Sequence, residues 1–226
     1  MTDPPPSSAG PTPSDPSEVE PASGSDLAQL GPADRDLTGF PSASLPPNRP
    51  LFRSHACDKD VWWFNGDLTG RFDLAQPQGT FYVADDIETA VRERLRHELV
   101  RTGLVPDGLA QAMAVTELTT GRRWRCAHLA SAQAAGFGLT KELVTMSDYT
   151  VPQAWAQVFD RAGFQGLRYG SRFTTGPATA WALFGRAGSG QRPAPVVRRR
   201  WSGPEACRRA GLTVLGPPPA AALKLI

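Results

Sequence analysis

Only three cysteines, Cys57, Cys126 and Cys207, occur in 226 residues, an odd number set far apart with no C-x-x-C pair. That argues against a disulfide framework or a cysteine zinc site and leaves three ordinary thiols. Histidine is equally sparse. His55, His97 and His128 show no H-E-x-x-H or other metal-ligating spacing, so they read as structural or surface residues and no metal is expected. No apolar run approaches the roughly 18 residues of a membrane span. The start, Met-Thr-Asp-Pro-Pro-Pro, lacks a basic segment followed by an apolar one, so a cytoplasmic protein is expected. G-x-x-x-x-G-K-[ST], a strand-borne G-x-G-x-x-G and G-x-S-x-G are all missing, which demotes P-loop, Rossmann and hydrolase-elbow chemistry.

What is present is unevenly distributed. Residues 1–50 hold seven acids against Arg35 and Arg49, residues 51–185 are balanced, and residues 186–226 hold eight bases against Glu205. The first 50 residues also contain 12 prolines and 8 serines with Phe40 as the single aromatic, too little apolar surface to offset the entropy of ordering. Three regions are therefore expected: an acidic disordered tail at 1–50, a folded domain at 51–185 and a basic extension at 186–226.

Within the domain, Thr80 to Ala84 reads as a buried strand, and Asp85 with Glu88 reads as a capping box opening a helix. Ile87, Val91, Leu95 and Leu99 form its apolar stripe, and the helix is predicted to run to about Gly103, with Arg101 in its last turn. Ala114 to Leu118 and Arg123 to His128 read as strands around a turn. Thr150 is predicted to cap a helix over Val151 to Ala162 that Gly163 stops, and strands are predicted over Gly166 to Ser171 and Ala178 to Phe184. Leu212 to Leu215 reads as an added edge strand or a small capping element.

Four segments stand in a familiar order: Gly70-Arg71-Phe72-Asp73, Phe81-Tyr82-Val83-Ala84, Thr89-Ala90-Val91-Arg92-Glu93 and Tyr169-Gly170-Ser171-Arg172. Together they resemble the RES domain, the toxin half of RES–Xre toxin–antitoxin pairs. That family carries an Arg in a "GRF" segment, a "YLA" strand, a Glu eleven residues after that Tyr, and a Ser in a "PSR" segment; Glu93 lies eleven residues after Tyr82. Leu51-Phe52-Arg53 resembles the family's "LYR" start, and Val151-Pro152-Gln153-Ala154-Trp155-Ala156 its "TQALA" helix. Departures are Gly170 in place of Pro and the two terminal regions.

The resemblance implies an α+β fold: an ADP-ribosyltransferase-like mixed or antiparallel β core flanked by helices and preceded by the disordered tail. It also implies cleavage of the nicotinamide–ribose bond of NAD+, with NAD+ as substrate rather than bound cofactor, ADP-ribose passing to phosphate, water or a protein, and an Xre-like antitoxin as partner. The chemistry suits the residues. Nicotinamide leaves as a neutral base, so no second carboxyl group is needed to protonate it, unlike an ordinary glycoside. Glu93 is then the catalytic carboxylate that stabilises charge at the anomeric carbon. Arg71 and Arg53 match the pyrophosphate oxygens, Tyr82 stacks on nicotinamide or lines its pocket, and Ser171 bonds the ribose or amide or positions Glu93.

Each residue has a plainer role beside this one. Glu93 lies nearly opposite the Ile87, Val91, Leu95 stripe and such residues usually face water, Tyr82 suits a core, Arg71 suits a surface turn, Arg53 can pair with Asp58, and Ser171 can cap a strand. Two alternatives to a toxin stay open. One is a protein ADP-ribosyltransferase using the same site; the other is a non-catalytic module binding nucleic acid or protein through Arg198-Arg199-Arg200-Trp201 and Arg208-Arg209.

Overall fold

The computed structural model describes residues 29–96, 98–99, 103–189 and 192–216. His97, Arg101 and the first 28 residues of the acidic segment lie outside them. The architecture is α+β, as expected. An eight-stranded mixed sheet is built from β1 (Ser42–Leu45), β2 (Leu51–Ala56), β3 (Gln78–Ala84), β5 (Met113–Thr119), β6 (Trp124–His128), β7 (Gly166–Gly170), β8 (Thr179–Arg186) and β9 (Val196–Ser202). Across the sheet the order is β1-β6-β7-β8-β3-β2-β5-β9, antiparallel throughout except for β6 beside β7. Two residues each of β4 (Val105–Pro106) and β10 (Val214–Leu215) make a small parallel pair.

The period of two along β8 explains why both faces of the sheet are covered. Ala180, Ala182 and Phe184 join one core with Trp155, Phe159 and Leu143, from α4 (Thr150–Arg161) and α3 (Glu142–Thr145), while Trp181 and Leu183 join another with Trp62, Phe64 and Phe81. A third cluster packs Val91 and Leu95 of α1 (Ile87–Leu95) against Val115 and Trp201, with Ala110 of α2 (Asp107–Gln111) and Ala206 of α5 (Gly203–Arg209) beside them. The expected apolar stripe of α1 is thus its packing face. Among the described residues no helix is long and apolar enough to cross a membrane.

Several local expectations shift. The cap of α1 is Asp86, whose carboxylate accepts from Thr89 N at 2.7 Å, whereas Asp85 is taken by Arg49 and by Trp181 Nε1. α1 ends at Leu95 because Arg96 adopts φ +50°, a turn the sequence does not announce with a glycine. α4 begins at Thr150 itself; Asp148 accepts from both Thr150 N and Oγ1, and Gly163 at φ +80° ends the helix region as expected.

The terminal regions differ more. Residues 42–45, expected to be disordered, add β1 to the edge of β6, and Leu37, Phe40 and Leu45 are buried. Composition averages over 50 residues, but a sheet edge with free hydrogen-bonding groups needs only a few apolar side chains to hold a short strand. Residues 196–215 are likewise part of the fold rather than an extension. β9 pairs along β5, and Trp201, Cys207 and Leu212 are buried. The basic run is held there: Arg199 and Arg209 lie over the Trp201 ring, and Arg200 donates to Cys57 O.

Candidate active site

β2 and β3 share one residue pair, Phe52 with Ala84; beyond it the strands part while β2 stays paired to β5 and β3 to β8. A cavity of about 390 Å³ opens at this split, within the size range of small-molecule sites. β2 and β3 line it, together with α1, the segment around Arg71 and the residues before α4. Arg53, Arg71, Tyr82 and Glu93 all line it, so four of the five expected site residues meet at one cavity.

Ser171, the fifth, reaches the cavity through Glu93. Its backbone N–H donates to Ala178 O, its hydroxyl accepts from Phe173 N at 3.2 Å, and its own O–H donates to Glu93 Oε1 at 2.6 Å. Arg172 N–H donates to the same Oε1 at 3.2 Å. Both bonds fall on one oxygen, so the carboxylate is fixed while Oε2 stays directed elsewhere. The side of α1 opposite its apolar stripe therefore faces the cavity and the Ser171 loop rather than bulk water.

Arg71 is 8% exposed. Its Nη1 donates to Met146 O and its guanidinium lies 4.9 Å from the Tyr149 ring centre. Burial pushes its pKa down, partly offset by Tyr149 and Tyr169 and, less, by Glu93. Arg53 makes no ion pair with Asp58; its Nη2 donates to Trp63 O at 2.9 Å and its plane lies 4.1 Å from the Phe81 ring centre. Burial pushes it down to about 9, so it is still a cation at neutral pH. Its Nε and Nη1 are buried with no hydrogen-bond partner. Buried unpaired donors on a guanidinium are costly, and oxyanion oxygens reaching them would satisfy them.

Tyr82 borders the cavity and packs against the core. Its ring lines the cavity, while its hydroxyl donates to Asp73 Oδ1 at 2.8 Å and accepts from Phe72 N at 2.9 Å. Burial pushes its pKa well above 10.0 and keeps it a donor. Asp73 is the residue that sequence reasoning missed. Fully buried, it also accepts from Gly70 N and Asn65 Nδ2, each at 2.7 Å, closing the turn that presents Arg71. Burial pushes its carboxyl up, against the pull of these donors. Gly70 must be glycine, because a Cβ there would sit 2.7 Å from the Tyr82 hydroxyl and 2.8 Å from Asp73 Cγ. The signal in the sequence was an Asp three residues after a Gly; its meaning depended on Tyr82 and Asn65 converging from elsewhere.

Of the histidines, His55 is 4% exposed, its Nδ1 paired with Ala56 O and its Nε2 with Thr116 Oγ1, and it also borders the cavity. His128 contacts Arg168 Nη1. Among the described residues no group of three His, Cys, Asp or Glu side chains is placed to hold a metal.

With the geometry in place, comparison with known proteins gives one family: a model described as the RES domain matches residues 50–202. The chain belongs to the RES domain family. The match to the RES domain extends through β9, in keeping with that strand's place in the sheet. Among solved structures, the chain is similar to one from the crystal structure of the M. tuberculosis MbcT–MbcA toxin–antitoxin complex, with a TM-score of 0.59 and 12% identity over 74% of this chain and 92% of that one. At that identity the likeness is one of fold. No curated protein matches the chain.

Proposed function

We propose that this RES domain protein is a toxin that consumes NAD+ by breaking the nicotinamide–ribose bond, and that an antitoxin neutralises it by closing or distorting the cavity. The observation that carries the reading is the Glu93 carboxylate, pinned through Oε1 by Ser171 and Arg172 beside a cavity that also holds Arg71 and the unpaired donors of Arg53. Family membership supports the toxin role, and the similar fold comes from a toxin–antitoxin complex.

Arg53 and Arg71 take the pyrophosphate, and the ring of Tyr82 borders the nicotinamide. The free edge of Glu93 meets the ribose hydroxyls and the positive charge that grows at the anomeric carbon as the C–N bond lengthens. Nicotinamide departs with the bonding electron pair as a neutral base, so one carboxylate suffices, and water or phosphate then bonds to the anomeric carbon and releases a proton to solvent. A protein side chain in place of water gives the transferase variant of the same chemistry. NAD+ is a substrate throughout, met in the cytoplasm.

Chromatography of NAD+ and its products tests the reading, with purified protein in the presence and absence of inorganic phosphate and with Glu93→Gln as control. Loss giving ADP-ribose-1″-phosphate identifies phosphorolysis, and loss giving ADP-ribose identifies hydrolysis. A fully active Glu93→Gln protein overturns the assigned mechanism.

A further inference from the structure

The basic run near the end of the chain has a place in the fold but no part in the cavity. β9 ends the eight-stranded sheet and carries Arg198, Arg199 and Arg200 in succession, all exposed, beside exposed Val196 and Val197. Arg199 and Arg209 lie over the same Trp201 ring, 5.3 and 5.6 Å from its centre, so the arginines of β9 and α5 form one patch, with exposed Arg208 next to Arg209. Glu117 stands opposite Arg199 in the β5–β9 register and Glu205 accepts from Arg209 at 3.2 Å, yet residues 192–216 hold six arginines against Glu205 alone.

The form of this edge narrows what fits it. The register shift between Glu117 and Leu118 leaves Arg198 without a partner on β5, and a bulge with charged side chains blunts an edge against an added strand. A second copy laid antiparallel on β9 would set the arginine run against itself. An acidic segment that binds through its side chains meets neither obstacle, because carboxylates take guanidinium groups in bidentate pairs.

Residues 1–28 of this chain have that composition. They hold Asp3, Asp15, Glu18, Glu20 and Asp26 with no lysine or arginine, and their seven prolines have no N–H to offer a strand ladder. The segment also starts within reach. Gln29 bonds to Gly138 O and Thr140 N, and Leu30 O accepts from Trp155 Nε1 of α4, which packs on β7. Five strand intervals separate β7 from β9, about 24 Å, whereas 28 residues can reach about 92 Å when extended. Exposed ion pairs are individually weak, but tethering makes the encounter intramolecular, so a few of them suffice where a separate partner would need a larger surface.

We infer that the β9–α5 arginine patch is the docking surface for the chain's own acidic segment, residues 1–28, held through its carboxylates. The docked segment covers Val196 and Val197 and keeps other polyanions off the patch.

Fluorescence anisotropy with a labelled peptide of residues 1–28 tests this on two full-length chains, one unaltered and one with Asp3→Asn, Asp15→Asn, Glu18→Gln, Glu20→Gln and Asp26→Asn. The peptide is expected to bind the neutralised chain about tenfold or more tighter than the unaltered one, whose own segment holds the patch. That affinity falls as salt rises from about 50 to about 300 mM. Adding Arg199→Gln and Arg209→Gln to the neutralised chain weakens the peptide by about tenfold. Adding Arg198→Gln and Arg208→Gln instead, which leaves both arginines on the Trp201 ring, does the same, and the melting temperature of each chain is checked. Peptide binding that is absent, equal for the two starting chains, or indifferent to both arginine pairs overturns the inference. So does a dimer in sedimentation that neutralising the acids dissolves, since the segment then docks on a second copy. A labelled DNA duplex that binds both starting chains alike assigns the patch to nucleic acid and overturns it too, whereas duplex binding that appears only after neutralisation supports it.

Discussion

Ser171 Oγ stands 2.6 Å from Glu93 Oε1 although 78 residues separate them, and it is held as a donor because Phe173 N–H occupies its acceptor side. A hydrogen bond to a charged group contributes about 1.5–3 kcal/mol. Ser171→Ala is therefore expected to lower kcat by roughly 10- to 100-fold with little change in KM, since the bond orients a carboxylate and does not carry the substrate's weight. Steady-state NAD+ turnover checks this. A KM rise at constant kcat would instead place Ser171 on the substrate.

The Asp73 carboxylate accepts three hydrogen bonds, from Tyr82 Oη, Gly70 N and Asn65 Nδ2. In Asp73→Asn one acceptor oxygen becomes an NH2 facing a donor, an arrangement expected to cost about 2–3 kcal/mol. For a chain of this size that is a fall in Tm of roughly 5–10 °C, measurable by calorimetry. Activity should fall further than stability, because the turn that presents Arg71 loosens. Tyr82→Phe removes one of the three donors and should reproduce a milder form of both effects.

His55 gives stability a pH dependence with a definite sign. Burial, reinforced by the charges of Arg53, Arg200 and Arg94, lowers its pKa below 6.5 in the folded protein, so the unfolded chain binds the proton more readily. The stabilisation is full above pH 6.5 and is lost as pH falls through the folded value. Urea midpoints at about pH 7.5 and about pH 5.5 should therefore differ, and His55→Gln should shrink the difference. A remainder is expected from His128, which burial and Arg168 also push down.

Removing residues 196–226 takes away β9 and α5, exposes the edge of β5 and strips cover from Val91, Leu95 and Met113. Buried Trp201, Cys207 and Leu212 go with it, at about 1.5–3 kcal/mol for each large apolar side chain, against a total stability of about 5–15 kcal/mol. The truncated chain is expected to be insoluble or without a cooperative melt. A soluble, active product ending at residue 195 would show that the cavity stands without the β9 edge.

Periodicity and spacing made much of this protein legible in advance. The stripe Val91, Leu95, Leu99 packs as read, the strands around Tyr82, Val115 and Ala182 form where they were expected, and the RES-like order of Arg53, Arg71, Tyr82 and Glu93 corresponds to four residues on one cavity. These features are local. The stripe and the strands depend on which residues recur along one element, and the candidate site residues were read from their resemblance to the RES domain; a chain carries both without folding.

Tertiary structure decided the rest because it depends on partners distant in sequence. Asp85 is not the cap of α1 because Arg49 and Trp181 claim it, and β9 belongs to the sheet because β5 offers an open edge. Glu93 is drawn from an apparent solvent face into a site because the Ser171 loop closes over it. The cavity itself exists because β2 and β3 part after a single residue pair. The sequence by itself marked the elements between residues 51 and 185 and the candidate site residues, but not β1, β9 or α5; only folding decided those and where the sheet splits, since hydrogen bonding between strands is settled by competition among all the edges present at once.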